Sequence, residues 1–276
     1  MNCRQALMQA RKILEDSGVN DSSLEGEVLI RYVLGQNRAG FFSNLDKDLT
    51  SIQSENLLNL VERRRRGEPS AYITGHREFY GLDFKVDPRV LIPRPETELL
   101  VDKAINLCRS FQLSTIADIG TGCGCIAVSL AVNLPDVTVY AADISPQALK
   151  VAGENCAVHG VKDRITLLHG DLLEPLPAPV EMVVANLPYV KNVDLSPGFE
   201  PELALMGGEE GLDKIETLCG QAGGKLRNKG ILLLEIGQGQ ASAVKTILHN
   251  AFSRAFIEVI KDLAGIERVV YVRLTS

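Results

Sequence analysis

From Pro93 onward, short continuous apolar runs alternate with segments of helical patterning, and this alternation constrains the fold more than any other feature. The runs "STIADIG", "TVYAADI", "ITLLHGD", "EMVVAN" and "GILLLEIG" are apolar almost throughout rather than at every second residue. Such strands are buried on both faces, which requires a parallel sheet covered by helices on each side. Between them, "CIAVSLAVN", "SPQALKVAGENCAVHG", a segment from about Asp213 and another after "LLLEIG" read as helices. The tail, "FIEVIKDLAGIERVVYVRLT", departs from the alternation with two strands joined by a short loop. An α/β sheet that finishes in an antiparallel edge pair is unlike the ordinary dinucleotide-binding fold.

Residues 1–74 differ in kind. "ALMQARKILEDSG" and "SLEGEVLIRYVLG" carry apolar residues at three- and four-residue spacing, and each is stopped by a glycine. A third helix is predicted over "SIQSENLLNLVERRRRGEP", with Thr50 or Ser51 as N-cap. Its basic end, Arg63 to Arg66, reads either as a solvated helix terminus or as a contact for a phosphate-rich partner. Residues 75–92, "GHREFYGLDFKVDPRVLI", alternate roughly through Phe79, Leu82, Phe84 and Val86 and suggest a β-hairpin linking two domains.

A net charge of −6 over 276 residues argues against wholesale electrostatic binding to nucleic acid or an anionic membrane. No apolar run approaches the roughly 18 residues that span a bilayer. The N-terminal segment lacks the pattern of a secretion signal. The six cysteines are scattered without paired zinc spacing and read as reduced thiols of a cytoplasmic protein. Cys123 and Cys125 read as small residues in a tight loop, and no metal is expected.

Three successive strand ends present residues suited to a nucleoside. "ADIGTGCGC" places Asp118, Gly120, Gly122 and Gly124 at a strand-to-helix turn, where glycines admit a ligand without a Cβ in the way. The spacing is G-x-G-x-G, and the acidic Asp118 before it suits the ammonium group of S-adenosylmethionine better than a diphosphate. Asp143 lies about 20 residues on, where a carboxylate accepts from ribose hydroxyls; as a lone acid it also reads as a helix cap. Asp171 and Leu172 end the third strand, where the edge and face of an adenine would lie.

The fourth strand ends in "VVANLPYV". Asn186, Leu187, Pro188 and Tyr189 would face the transferable group, because ligands of open α/β sheets lie beyond the carboxyl ends of the strands. An amide nitrogen is a poor nucleophile, its lone pair delocalised into the carbonyl. Asn186 Oδ1 and the backbone carbonyl of Leu187 can each accept one N–H and aim that lone pair. Tyr189 could stack on the planar group, and Pro188 stiffens the turn.

These segments resemble the HemK/PrmC family of protein-(glutamine-N5) methyltransferases. The likeness runs through "PSAYITGHREFYGLDFKVDPRVLIPRPETELLV", "DIGTGCGCIAVSLA", "EPELALMGGEEGLD" and "LLLEIGQGQ", and covers nearly the whole chain. The resemblance implies a Rossmann-like class I methyltransferase sheet over residues 93–276, preceded by a helical substrate-docking domain at 1–74 and the linker at 75–92. It implies that Gly120, Thr121, Gly122, Cys123, Gly124 and Asp143 contact S-adenosylmethionine, with S-adenosylhomocysteine as product, and that Leu172 lines the adenine. Asn186 to Tyr189 would hold the glutamine of the Gly-Gly-Gln motif in class 1 peptide chain release factors. The family usually has Asn-Pro-Pro-Tyr, and Leu187 here replaces the first proline. A backbone carbonyl serves whatever the side chain, so the expected loss is φ rigidity worth about 0.4–1 kcal/mol.

Two other readings stay open. An amino-methyltransferase acting on adenine-N6 in nucleic acid would use the same amide-gripping chemistry on an exocyclic NH₂, with Arg63 to Arg66 as its only marked basic cluster. A catalytically weak S-adenosylmethionine-binding module would make Leu187 the mark of lost turnover. No stable nucleic-acid or membrane partner is expected, and the chain reads as a monomer.

Overall fold

The computed structural model describes residues 1–195 and 198–275. The chain divides into two compact units, Met1–His76 and Arg77 to the C terminus.

The first unit is helical, with α1 Cys3–Asp16, α2 Ser22–Leu34, α3 Arg38–Phe42, α4 Ser51–Arg65 and α5 Ser70–Thr74. α1 and α4 both open with a capping box, Asn2 with Gln5 and Thr50 with Gln53, so backbone N–H groups at each start are satisfied reciprocally. α1 buries Cys3, Ala6, Ala10 and Leu14, a single stripe at helical spacing. Those residues join Leu29, Ile30, Phe41 and Leu57 in one core. The short helices α3 and α5 carry too few turns to announce themselves by periodicity.

The second unit opens with a hairpin, β1 His76–Phe79 and β2 Leu82–Lys85. Tyr80 (φ 53°) and Gly81 (φ 70°) form its two-residue turn, both in the left-handed region that such turns require. The hairpin is fixed to α6, Glu98–Phe111, by Tyr80 N donating to Glu98 Oε1 at 2.9 Å and Tyr80 Oη donating to Asp102 Oδ1 at 2.5 Å. Then follow β3 Thr115–Ile119, α7 Cys125–Asn133, β4 Thr138–Asp143, α8 Pro146–Val158, β5 Ile165–His169 and β6 Val180–Ala185. α9 Asp213–Ala222, β7 Leu226–Glu235, α10 Ala241–Ala251, β8 Phe256–Lys261 and β9 Glu267–Arg273 complete the chain.

The sheet has seven strands in the order β5-β4-β3-β6-β7-β9-β8. β3 to β7 are parallel, whereas β9 runs antiparallel between β7 and β8. The chain winds outward from β3 through β5, then returns to the other side of β3 with β6. That reversal opens a crevice at the carboxyl ends of β3 and β6. β3 and β6 are almost wholly buried, as the unbroken apolar runs require.

Candidate active site

At these strand ends lies an open cleft. Gly120, Gly122, Asp143, Asp171, Leu172, Asn186, Leu187 and Pro188 line it together. Asp118, Thr121, Cys123, Gly124 and Tyr189 are not among its lining residues; apart from Gly124, which has none, their side chains are engaged elsewhere or buried.

The loop after β3 is built by hydrogen bonds from both sides. Gly120 N and Thr121 N both donate to the carbonyl of Ala142 on β4, at 2.9 and 3.0 Å. Asp118 is fully buried; its Oδ2 accepts from Thr121 Oγ1 at 2.6 Å and from Ala127 N at 3.1 Å. Its Oδ1 has no hydrogen-bond partner, and burial pushes the carboxyl up to about 7. Gly124 (φ 83°) leads into α7, and a Cβ there would come within 3.2 Å of Ala152 Cβ on α8. Only glycine permits both that backbone angle and that approach.

Asp143 occupies both its oxygens. Oδ2 accepts from Gly122 N and Oδ1 from Ser145 N, each at 2.8 Å. Ser145, rather than Asp143, caps α8, accepting from Ala148 N at 3.2 Å. Burial raises the Asp143 carboxyl against the pull of those two N–H groups. Leu172 is 7% exposed and holds φ at 48°, a strained conformation for a bulky side chain.

The fourth strand end has its own supports. Asn186 Nδ2 donates to Thr97 Oγ1 at 3.0 Å, and Thr97 Oγ1 donates to Glu235 Oε2 at 2.6 Å. Tyr189 Oη donates to the other oxygen of Glu235 at 3.4 Å. Burial raises the Glu235 carboxyl, while burial and then Glu235 itself push the Tyr189 phenol to about 12. Gln240 Nε2 donates to the Tyr189 carbonyl at 3.2 Å and holds the turn from behind. Leu187 is 3% exposed and belongs to the sheet core, with Cδ2 only 3.4 Å from where a Cβ of Gly120 would stand.

Several participants escape the motifs. Asn155, fully buried on α8, accepts from Lys85 N at 2.9 Å and donates to Lys85 O at 3.0 Å and Cys123 O at 2.8 Å. It ties β2 to the loop after β3. Arg89 and Leu91 supply further wall, with Leu203 and Lys214 from the segment after the fourth strand. The signal for Glu235 is its place as the one charge closing "ILLLE"; Thr97 has no comparable mark. Arg63, Arg64, Arg65 and Arg66 each pair with a carboxylate, of Glu68, Glu25, Glu62 and Glu62 respectively. Four guanidinium groups share three carboxylates, so most but not all of the positive charge at this helix end is paired. All six cysteines are buried free thiols. Among the described residues, no helix is long and apolar enough to cross a membrane.

Family models match both parts of the chain: the PrmC N-terminal domain over residues 5–75 and the methyltransferase small domain over residues 96–203. A release factor glutamine methyltransferase of Moorella thermoacetica is 42% identical over 275 residues, covering 97% of each chain. The chain belongs to the release factor glutamine methyltransferase family. Another member, from Bacillus anthracis, is 36% identical over 286 residues and covers 99% of this chain and 100% of its own. A solved methyltransferase of Pyrococcus furiosus shares the fold at 16% identity, with a TM-score of 0.53 over 71% of this chain and 89% of that one. Family membership and sheet order agree that this is a class I methyltransferase fold.

Proposed function

We propose that the chain transfers a methyl group from S-adenosylmethionine to the side-chain amide nitrogen of the glutamine in the Gly-Gly-Gln motif of class 1 peptide chain release factors. The observation that carries this reading is the fixed amide of Asn186. Its Nδ2 is taken by Thr97, which leaves Oδ1 as the acceptor available at the cleft.

The cleft residues fit the donor. Gly120 and Gly122 put bare backbone at the wall, and Leu172 offers an apolar surface to a base. Asp143 and Asp171 put acceptors where ribose hydroxyls and an adenine amine need them. Thr121, Cys123 and Gly124 act through the shape of the loop. Asp118, buried beneath that loop, holds its shape through Thr121 Oγ1 and Ala127 N. When bound, S-adenosylmethionine supplies an electrophilic methyl group and leaves as S-adenosylhomocysteine.

At the acceptor, Asn186 Oδ1 and the Leu187 carbonyl each take one N–H of the glutamine amide and turn its lone pair toward the cleft. Tyr189 and Pro188 limit rotation of that amide. The nitrogen forms the new bond with its own lone pair and then loses one proton to water. The unit Met1–His76 is proposed to dock the release factor, supported by its match to the PrmC N-terminal domain. The pairing of Arg63 to Arg66 with three carboxylates weakens the basic cluster on which a nucleic-acid substrate would rest.

Incubation with a class 1 release factor and S-adenosylmethionine, read by peptide mass spectrometry, tests the proposal. One added methyl on the Gly-Gly-Gln glutamine is expected, abolished by Asn186→Ala. Label appearing in nucleic acid and not in release factor would refute it.

A further inference from the structure

A primary amide has one accepting end and one donating end of nearly the same shape. Only Oδ1 of Asn186 can receive a substrate N–H, so the way that side chain is turned decides whether the cleft works. Glu235 closes β7 immediately beside the end of β6, where Ala185 and Leu234 are register partners. It is 3% exposed at the end of an apolar run, and Thr97 is 2% exposed. An ionised carboxylate can only accept, so the single hydroxyl hydrogen of Thr97 goes to Glu235 Oε2. The lone pairs of Thr97 Oγ1 are then left to accept, and they take Asn186 Nδ2. With Glu235 ionised, the two bonds run in this direction.

Thr97 lies in the right-handed helical region, at the end of a 3-10 turn over Pro95–Thr97 that runs into α6, so its hydroxyl has no capping duty and is turned to Glu235. Glu235 is atypical, since a buried carboxylate met by hydroxyl groups is costly to keep where an apolar residue would pack. That carboxylate departs from what stability alone would select.

We propose that Thr97 and Glu235 are positioning residues that turn the Asn186 amide so that Oδ1 faces the acceptor nitrogen. Glu235 also holds Tyr189 through its second oxygen, so one carboxylate sets both ends of the Asn-Leu-Pro-Tyr turn. The inference rests on the role given to Asn186 under Proposed function.

Thr97→Val keeps the volume and removes the hydroxyl, whereas Thr97→Ser keeps the hydroxyl. At saturating release factor, Thr97→Val is expected to lower kcat roughly ten- to a hundredfold, the scale of losing an orienting partner one step from the reacting group. Calorimetric affinity for S-adenosylhomocysteine stays at the parental value, and Thr97→Ser recovers most of the rate. The second measurement needs no turnover. With 15N-labelled asparagine, the Asn186 side-chain signal, identified by its loss in Asn186→Ala, exchanges with solvent more slowly in the parent than in Thr97→Val. Parental kcat in Thr97→Val, or unchanged exchange of that amide, overturns the positioning role. A parent that methylates no release factor overturns the functional reading instead, and the exchange measurement still decides the positioning.

Discussion

The carboxylate of Asp143 reaches from the end of β4 to accept the Gly122 N–H at 2.8 Å, so the shape of the glycine loop depends on the neighbouring strand. Its other oxygen accepts from Ser145 N. Asp143→Ala removes both bonds together with the proposed ribose contact. A hydrogen bond to a charged group contributes about 1.5–3 kcal/mol, so affinity for S-adenosylhomocysteine should fall at least about tenfold. Isothermal calorimetry reads this directly, and parental affinity would remove Asp143 from the site.

Asn155 makes three hydrogen bonds from a fully buried position. Asn155→Ala leaves the Cys123 carbonyl and both backbone groups of Lys85 without that partner. The expected loss is about 2–3 kcal/mol of unfolding free energy, measured by urea denaturation. A loss below about 0.5 kcal/mol would show that water or a loop shift replaces the amide.

Asp118 carries a pH signature. Its folded carboxyl stands at about 7 against an ordinary 3.8, so the folded state holds the proton more tightly than the unfolded state. Its contribution to stability is full below about pH 4 and is lost as pH rises through about 7. Asp118→Asn abolishes the titration. The stability of the variant relative to the parent should therefore rise between about pH 4 and pH 8. Denaturation curves that differ by a constant across that window would contradict the assignment.

Leu187 stands where the Asn-Pro-Pro-Tyr pattern that the segment resembles has its first proline, and its side chain is packed in the core. Leu187→Pro gains about 0.4–1 kcal/mol of backbone preorganisation but gives up part of that packing. The two effects oppose, and kcat is expected to stay within about threefold of the parent. A thousandfold rise in a steady-state assay would show that the ring, rather than the carbonyl, is the working feature.

The parallel strands were legible as apolar runs, and β3 to β7 lie where those runs predict, although only β3, β6 and the second half of β7 are buried on both faces and β5, at the sheet edge, buries one residue. The antiparallel tail was legible as two strands around a short loop, with β8 at the edge burying no residue, although the insertion of β9 between β7 and β8 leaves no local trace. α6 is the main element without an expectation of its own, since "ETELLVDKAINLCRSF" follows a proline-rich stretch that reads as linker. The contact of Thr97 with Glu235 joins residues 138 apart. No periodicity reports such a pair, because it arises only when α6 is laid against the end of β7. Whether Asp143 was a cap or a ligand contact could not be separated from its position alone, and its carboxylate in fact braces two backbone turns.

On the proposed reading of the site, the strand order also separates two tasks. β3, β4 and β5 on one side of the crossover end in the glycine loop, Asp143, Asp171 and Leu172, while β6 and β7 on the other end in Asn186 and Glu235. A substitution at the second set can therefore change which amine is accepted without rebuilding the donor half. On such a sheet, new acceptor specificities are reachable by small steps, because the inherited donor half stays intact at every one of them.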